Sequence, residues 1–368
     1  MIVGTIHVLF LGYTAYLSLG DLGQLSETLH FIVFLSTTVL EVLNGLMHRK
    51  HIEHIMRNLG NGVYDYGDTL DNDSVNEIEK VTKEARMQKK FYSKVLVFAG
   101  TALTFRPLVT KFIVNEDKIK ANQTDVFEGI NKHLPAICWY PFDSRTTSLH
   151  ILCFIFQEIL VLQSIVTVIA TDAAYLCLCE EMVIQLKIIG ITVRNATKRA
   201  KKVMAITGEK YMKKSLSICL SHSVEHHITT LRLIETFGDY YFYLLLLLIS
   251  GAAFLLCLSG ILFTADQVST TTKVTFFFFL LAEFPHAFIF CWYGEQIKGR
   301  SSLIGDELYD SDWINYSSEM KLYMLMILNK SVKPSGVSAG GFTDVSMVTF
   351  ANVLSSAYSY FNLLNAVQ

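Results

Sequence analysis

The stretch "YYFYLLLLLISGAAFLLCLSGILFTA", residues 240–265, contains no Asp, Glu, Lys, Arg or His. A membrane-spanning helix needs about 20 consecutive, mostly apolar residues, and this stretch is longer than that. It therefore predicts a helix inside a lipid bilayer. The whole chain agrees, because 51% of its 368 residues are hydrophobic and only 17% are charged, against about 25% charged in an average soluble domain.

Six further stretches have similar length and character. The predicted spans are residues 2–19, 29–47, 91–113, 149–171, 240–265, 274–293 and 342–364. The segments between them are polar, and we find no periodic repeat or low-complexity region. The sequence thus predicts an all-α membrane protein with seven transmembrane helices.

Lysine and arginine are distributed unequally between the two sides of this predicted bundle. Residues 48–94, 172–239 and 294–341 hold 24 of them, whereas the segments on the other side hold 6. Cytosolic segments of membrane proteins carry an excess of Lys and Arg. We therefore expect a cytosolic N-terminus and an extracellular C-terminus, which is opposite to the topology of G-protein-coupled receptors.

Several classes of function are disfavoured. The net charge of −2 offers no basic surface for nucleic acid. The seven cysteines are scattered, and no second Cys or His pair lies near Cys177 and Cys179, so we predict neither a metal site nor a cofactor. The pair His226–His227 forms no HExxH motif and no Gly-rich phosphate loop occurs, so we do not expect an enzyme.

The last span predicts a helix with two unlike faces when its residues are placed at 100° intervals. The small and polar face contains Val348, Thr349, Asn352, Ser355, Ser356, Ser359, Asn362, Leu363, Ala366 and Val367. The bulky face contains Phe350, Leu354, Ala357, Tyr358, Phe361 and Leu364. Asp344, near the start of this helix, is interpreted either as a cap or as a charge that attracts cations.

Three interpretations of the polar face compete. Its side chains could join helices within one subunit, line a water-filled conduit, or lie on the membrane surface, which the absence of Lys and Arg disfavours. The first two are equally favoured until the end of the helix is considered, where hydrophobic residues follow the polar ones. A hydrophobic constriction after a wet stretch is what a gate that closes by dewetting requires. The predicted pore and gate residues are Asn352, Ser356, Ser359, Leu363, Ala366 and Val367.

One such helix cannot enclose a pore, so this interpretation implies an oligomer. A candidate assembly segment precedes the last span, in "DSDWINYSSEMKLYMLMILNK". Its apolar residues recur at intervals of three or four and predict a cytosolic helix that packs within or between subunits. They are Trp313, Tyr316, Met320, Tyr323, Met324 and Ile327.

The runs "DELYDSDW" at 306–313, "LNKSVKPSGVSAGGF" at 328–342 and "SYFNLL" at 359–364 resemble the C-terminal signature of insect odorant receptors. "LPAICWYPFD" at 134–143 is also similar to that family. The resemblance implies an odorant-gated, non-selective cation channel assembled as a tetramer of seven-helix subunits. It divides the chain into an odorant-binding bundle with cytosolic loops (1–293), a cytosolic anchor region (294–341) and a pore-lining helix (342–368).

The chain departs from the family in two places. The family's cytosolic N-terminal segment is absent or cut short, and the second cytosolic loop lacks the long insertion of the shared co-receptor. The resemblance therefore implies a ligand-specific subunit that works in complex with the odorant receptor co-receptor in the plasma membrane of olfactory neuron dendrites. An insect gustatory receptor, a tastant-gated channel, is the nearest alternative, and a metabotropic seven-helix receptor is a more distant one.

The resemblance also implies a site for a small, volatile, apolar odorant in the outer half of the bundle. The matching residues are Phe31, Phe34, Leu35, Ala99, Gly100, Ala102, Leu103, Phe105, His150, Cys153, Phe154, Gln157, Val274, Phe276, Phe277, Phe278 and Leu280. His150 either faces water or donates a hydrogen bond to the ligand. Ionisable residues inside spans are functional candidates, so Arg106, Glu158 and Glu283 also qualify, although Glu283 and His286 could simply satisfy the backbone opened by Pro285.

Overall fold

The computed structural model of the chain describes residues 2–104, 130–131, 134, 136–144, 146–265, 268 and 270–365. Long α-helices dominate this part of the chain. They are α1 Ile2–Leu17, α2 Leu22–Met47, α3 Arg49–Gly60, α4 Asn72–Thr104, α5 Thr147–Arg194, α6 Ala196–Thr207, α7 Met212–Thr264, α8 Thr270–Tyr309, α9 Lys321–Val332 and α10 Met347–Asn365. Two antiparallel pairs of short strands accompany them, β1 Ile130–Asn131 with β2 Cys138–Trp139, and β3 Ser338–Ala339 with β4 Thr343–Asp344.

Each predicted span falls on a described helix. In chain order the spans correspond to α1, α2, the end of α4 as far as Thr104, the beginning of α5, the end of α7, the beginning of α8 and α10. Among the described residues, α2, α5, α7 and α8 are long and apolar enough to cross a bilayer, and α1 is a shorter apolar helix. The predicted all-α membrane fold is confirmed.

Three helices are much longer than a membrane is thick. Helices α5, α7 and α8 contain 48, 53 and 40 residues. At 1.5 Å per residue, α7 extends for about 80 Å, whereas the hydrocarbon core of a bilayer is about 30 Å thick. The sequence predicts polar connections at 172–239 and 294–341, but the structure continues α5 to Arg194, begins α7 at Met212 and continues α8 to Tyr309.

The extended parts of these helices pack on one another. Tyr175, Met182 and Leu186 of α5 are fully buried, as are Ile234 and Phe237 of α7. They belong to one hydrophobic core that also includes residues of α8, α9 and α10. Apolar residues at helical spacing therefore continue beyond the predicted spans. They form a buried apolar region outside the predicted membrane region.

The predicted helix over residues 310–330 is wrong in its first half. Two 3-10 turns, Trp313–Asn315 and Ser318–Met320, precede the regular helix α9. The predicted apolar stripe faces its own subunit, since Met320 and Ile327 are buried. The opposite side of α9 is also apolar, and Leu322 and Leu325 there are 60% and 61% exposed.

Candidate ligand site and the polar face of the last helix

The start of α10 is fixed by a short hairpin and a serine cap. Gly340 and Gly341 adopt positive φ angles of 60° and 72° between β3 and β4, a conformation that glycine adopts without strain. The backbone N–H of Thr349 then donates to Ser346 Oγ at 3.3 Å. Ser346 therefore caps α10, and the interpretation of Asp344 as the cap is wrong, because its carboxylate pairs with Lys298 of α8.

The two faces of α10 differ in burial. Phe350, Val353 and Ala357 are buried, and the Phe350 ring meets the rings of Phe284 and Phe288 edge-on at 5.4 and 5.5 Å. These contacts hold the bulky face of α10 against α8.

The small polar face is turned away from the rest of the subunit. Asn352, Ser356 and Ser359 are exposed. Leu363, on the same face, is 63% exposed. Packing within one subunit does not account for them. Thr349 is the exception, because it is buried and its Oγ1 donates to the Asp344 carbonyl oxygen. The predicted gate residues Ala366 and Val367 lie outside the described residues.

An aromatic cluster occupies the region of the predicted odorant site. Phe31, Phe34 and Leu35 of α2 are buried together with Cys153 of α5 and with Phe276 of α8. The structure therefore brings five of the predicted site residues into one hydrophobic core. Phe154 lies at the edge of this core and is partly buried.

Only part of the predicted face of α8 packs into the aromatic cluster. Phe277 is 43% exposed and packs on Phe263 of α7 at 5.6 Å, away from the aromatic cluster. Val274 and Phe278 are only partly buried. The ring that joins Phe276 in the cluster is Phe279, three residues further along the helix. In a run of four phenylalanines, sequence does not show which two face inward.

His30 is a member of this cluster that the sequence analysis missed. Its ring is fully buried and lies 4.9 Å from Phe276 and 4.5 Å from Phe279. Its Nδ1 is 3.3 Å from Ser259 Oγ of α7. His30 is an ionisable residue within an apolar predicted span, and this feature could have identified it as a candidate.

Gln157 holds the segment before α5 in place. Its Oε1 accepts a hydrogen bond from the Ala136 backbone N–H at 2.9 Å, and its Nε2 donates to the Ala136 carbonyl oxygen and to Tyr140. Both ends of the amide are therefore engaged by the chain itself. His150, one turn into α5, is partly buried.

The third-span part of the predicted site lies outside the described residues. This applies to the side chains of Ala99, Ala102 and Leu103, to the surroundings of Gly100, and to Phe105 and Arg106.

A partly open cavity, with about 80 Å³ of room for the centres of water-sized molecules, lies further along the bundle between α2, α5, α7 and α8. Its apolar walls include Phe34, Ile165, Leu248 and Ala252, and its ionisable residues are Glu41, Asp172, Glu283 and His286. His286 Nε2 lies 3.1 Å from Asp172 Oδ1. The interpretation that His286 satisfies the backbone at Pro285 is therefore wrong, because the imidazole pairs with α5.

Comparison with known proteins agrees with this architecture. The family model described as "7tm Odorant receptor" matches residues 21–358. The chain belongs to the odorant receptor family. This membership decides against the gustatory receptor alternative, and it identifies the protein as a receptor of a membrane family that is not an enzyme family.

Curated relatives match part of this odorant receptor. It is 30% identical over 145 residues to odorant receptor 92a, a candidate receptor of Drosophila melanogaster, and 24% identical over 141 residues to Drosophila odorant receptor 67c. The matches cover 39% and 38% of this chain and 35% and 34% of those relatives. An odorant receptor coreceptor of Ooceraea biroi is 26% identical over 145 residues, 39% of this chain and 30% of that protein.

A solved structure shares the fold over the whole length of this receptor. The olfactory receptor OR5 of Machilis hrabei, solved in complex with eugenol, superposes with a TM-score of 0.80 at 15% sequence identity. The superposition covers 100% of this chain and 87% of that one. At this identity the similarity establishes the fold alone.

Proposed function

We propose that this odorant receptor is a subunit of a cation channel that a small volatile odorant opens. The observation that carries the proposal is the exposed polar face of α10, with Asn352, Ser356 and Ser359 in successive turns. Uncharged polar side chains are poor partners for lipid, whereas they suit a water-filled conduit. Leu363, further along and 63% exposed, would narrow the conduit by excluding water.

Assembly around an axis is the second step of the proposal. A single α10 cannot enclose water, so several subunits would bring their polar faces together. The exposed apolar residues Leu322 and Leu325 on α9, outside the predicted spans, support such an assembly, because apolar surface of this kind favours protein contacts. The partner would be the odorant receptor co-receptor, in a hetero-oligomer that is most simply a tetramer, with this chain as the ligand-specific subunit.

The odorant would bind in the outer half of the bundle, against the aromatic cluster and the third span. A ligand pocket of this kind is mostly apolar with few polar groups, and His30 and His150 would supply those here. The receptor would lie in the plasma membrane with its N-terminus in the cytosol, as the excess of Lys and Arg on one side predicts. A C-terminal epitope tag that is reached only after permeabilisation would contradict this topology.

The channel proposal is tested by cysteine accessibility in cells that express the chain with the co-receptor. Asn352→Cys, Ser356→Cys and Ser359→Cys are expected to react with a small charged methanethiosulfonate while odorant is present, and the reaction would change the current. Phe350→Cys and Ala357→Cys serve as controls, because both positions are buried against the same subunit. Equal reactivity on both faces would contradict the proposal, and so would a current that excised patches lose without nucleotides.

A further inference from the structure

The cavity between α2, α5, α7 and α8 adjoins the predicted odorant site, but its polar end lies apart from His150. Asp172 follows His150 by 22 residues on α5, which corresponds to about 33 Å along the helix axis. Phe34 lines the cavity and also belongs to the aromatic cluster, so the two regions adjoin on α2. Ile165 also belongs to both, whereas Leu248 and Ala252 line the cavity without belonging to the cluster.

The polar wall of this cavity carries more acid than base. Glu41, Asp172 and Glu283 line it together with His286, and these groups are close enough to interact electrostatically. No Lys or Arg of the described residues lines it. Even with a protonated imidazole, the three carboxyl groups outnumber the one basic group.

Internal contacts leave one buried oxygen of these carboxyl groups without a donor. Thr171 Oγ1 donates to Glu41 at 3.0 Å and His286 lies against Asp172 Oδ1. Asp172 is only 2% exposed, yet no described group donates a hydrogen bond to its buried Oδ2. A buried carboxylate oxygen without a donor is costly, and a ligand that brings N–H donors and a positive charge would remove that cost.

We propose that this cavity binds a small organic molecule through a protonated amine. The ammonium group would donate to Asp172 Oδ2 and approach Glu283, while an apolar body would lie against Ile165, Leu248 and Ala252. A metal ion fits less well, because the described residues contain no group of three side chains arranged to hold one, and most of the walls are apolar. The site is independent of the pore, so the inference goes beyond the proposed function.

The test is a binding measurement on the purified full chain in lipid nanodiscs near neutral pH. The probes are 2-phenylethylamine, which is protonated there, and 2-phenylethanol, which has the same skeleton without the charge. We expect the amine to bind about tenfold tighter or better, a difference typical of a charge-assisted hydrogen bond. Equal affinities in the wild-type protein would overturn the proposal without any variant.

Two variants locate the binding site. Glu283→Gln and Asp172→Asn are each expected to weaken amine binding about tenfold and to leave binding of the alcohol unchanged. Glu158→Gln is the matched control, because Glu158 lies on α5 but lines a different, shallow pocket. If Asp172→Asn fails to fold after losing its contact with His286, amine binding by the Glu283→Gln variant alone provides the test. Undiminished amine binding in the folded variants would place the amine elsewhere and overturn the assignment.

The binding measurement records no current, so its failure can be distinguished from a failure of the channel proposal. A silent channel that binds the amine would support the site and contradict the proposed function. A receptor that conducts with odorant but binds the amine and the alcohol equally would support the proposed function and contradict the amine site.

Discussion

Gly294 of α8 lies directly against Val345, the residue that links β4 to the turn before α10. A Cβ atom on residue 294 would be 2.2 Å from the Val345 carbonyl oxygen and 2.9 Å from its Cβ. Side chains do not approach backbone atoms so closely. The absence of a side chain at Gly294 is therefore what allows the hairpin and α10 to dock on α8.

Substitution Gly294→Ala should push the start of α10 away from α8. Overpacking of this kind costs about 1–3 kcal/mol, and we expect the thermal unfolding temperature of the purified receptor to fall and the odorant current to be lost. Gly299→Ala is the control on the same helix, because a Cβ there meets no atom within 4 Å. Since alanine favours helices over glycine, the control should be neutral or stabilising. A Gly294→Ala receptor as stable as the Gly299→Ala variant would contradict this account.

The sequence predicts the helices well and their inward faces less well. The apolar runs are long enough to reveal each span, since a bilayer demands uninterrupted apolar length. Phe276–Phe279 is apolar at all four positions, so no periodicity distinguishes Phe276 and Phe279, which pack inward, from Phe277, which does not. The role of Gly294 depends on a contact between residues about 50 positions apart, and that contact has no local signature.

From the sequence, Glu283 and His286 are identified as ionisable residues inside a span, but Glu41, Asp172 and the contact between Asp172 and His286 are not. Pro285 suggested a local role for His286 through the opened backbone. The partner is instead Asp172, on a different helix. Sequence spacing within α8 cannot reveal which residue of α5 lies opposite.

Acid should destabilise the part of the receptor outside the predicted spans. His226 of α7 is buried, with its Nδ1 2.9 Å from the Tyr66 hydroxyl and its Nε2 2.9 Å from Gln185 Oε1. These partners suit a neutral ring that donates from Nε2 and accepts at Nδ1. Burial, the neighbouring His227 and the charge of Arg199 lower the pKa of His226 to about 3.

The sign of the pH effect follows from proton binding. In the unfolded chain His226 takes up a proton near its ordinary pKa of about 6.5, whereas the folded protein resists protonation down to about pH 3. Between these values the unfolded state binds more protons, so stability is lost as pH falls. The loss attributable to His226 between pH 7 and pH 5 is about 2 kcal/mol.

Thermal unfolding of the purified receptor at pH 7 and pH 5 measures this effect. His226→Gln should reduce the difference between the two unfolding temperatures, because glutamine cannot titrate. His54→Gln, at an exposed position on α3, should leave the difference unchanged. The same pH dependence in all three proteins would show that the His226 ring is not held neutral.

The ion pair of Lys298 with Asp344 should set the charge near the start of α10. The two side chains are 40% and 58% exposed, and exposed pairs contribute little to stability, about 0–1 kcal/mol. In the proposed channel the effect would instead be on conduction, because an unpaired carboxylate at a pore mouth concentrates cations.

Single-channel recordings of the complex with the co-receptor test this. Lys298→Met is expected to free the Asp344 carboxylate and raise cation conductance, and Asp344→Asn is expected to lower it, both most clearly at low salt. Lys333→Met, at an exposed position after α9, should leave conductance unchanged. Equal conductance in Lys298→Met and Asp344→Asn channels would mean that this end of α10 does not face the conduit.

Leu363 provides the sharpest test of the polar face as a conduit wall. It is 63% exposed in the subunit, so Leu363→Ser should change the stability of the subunit by no more than about 0.5 kcal/mol. In an assembly where this residue narrows the conduit, the hydroxyl would wet the constriction, and current would flow without odorant.

Leu364, the adjacent residue, distinguishes an effect on gating from an effect on folding. Leu364 is partly buried and packs against the main hydrophobic core, so Leu364→Ser should lower thermal stability without raising basal current. The contrast requires that α10 turn Leu363 towards the conduit and Leu364 towards its own subunit. If both serine variants raise the basal current, loosened packing rather than wetting opens the channel. If neither does, Leu363 is not part of the gate.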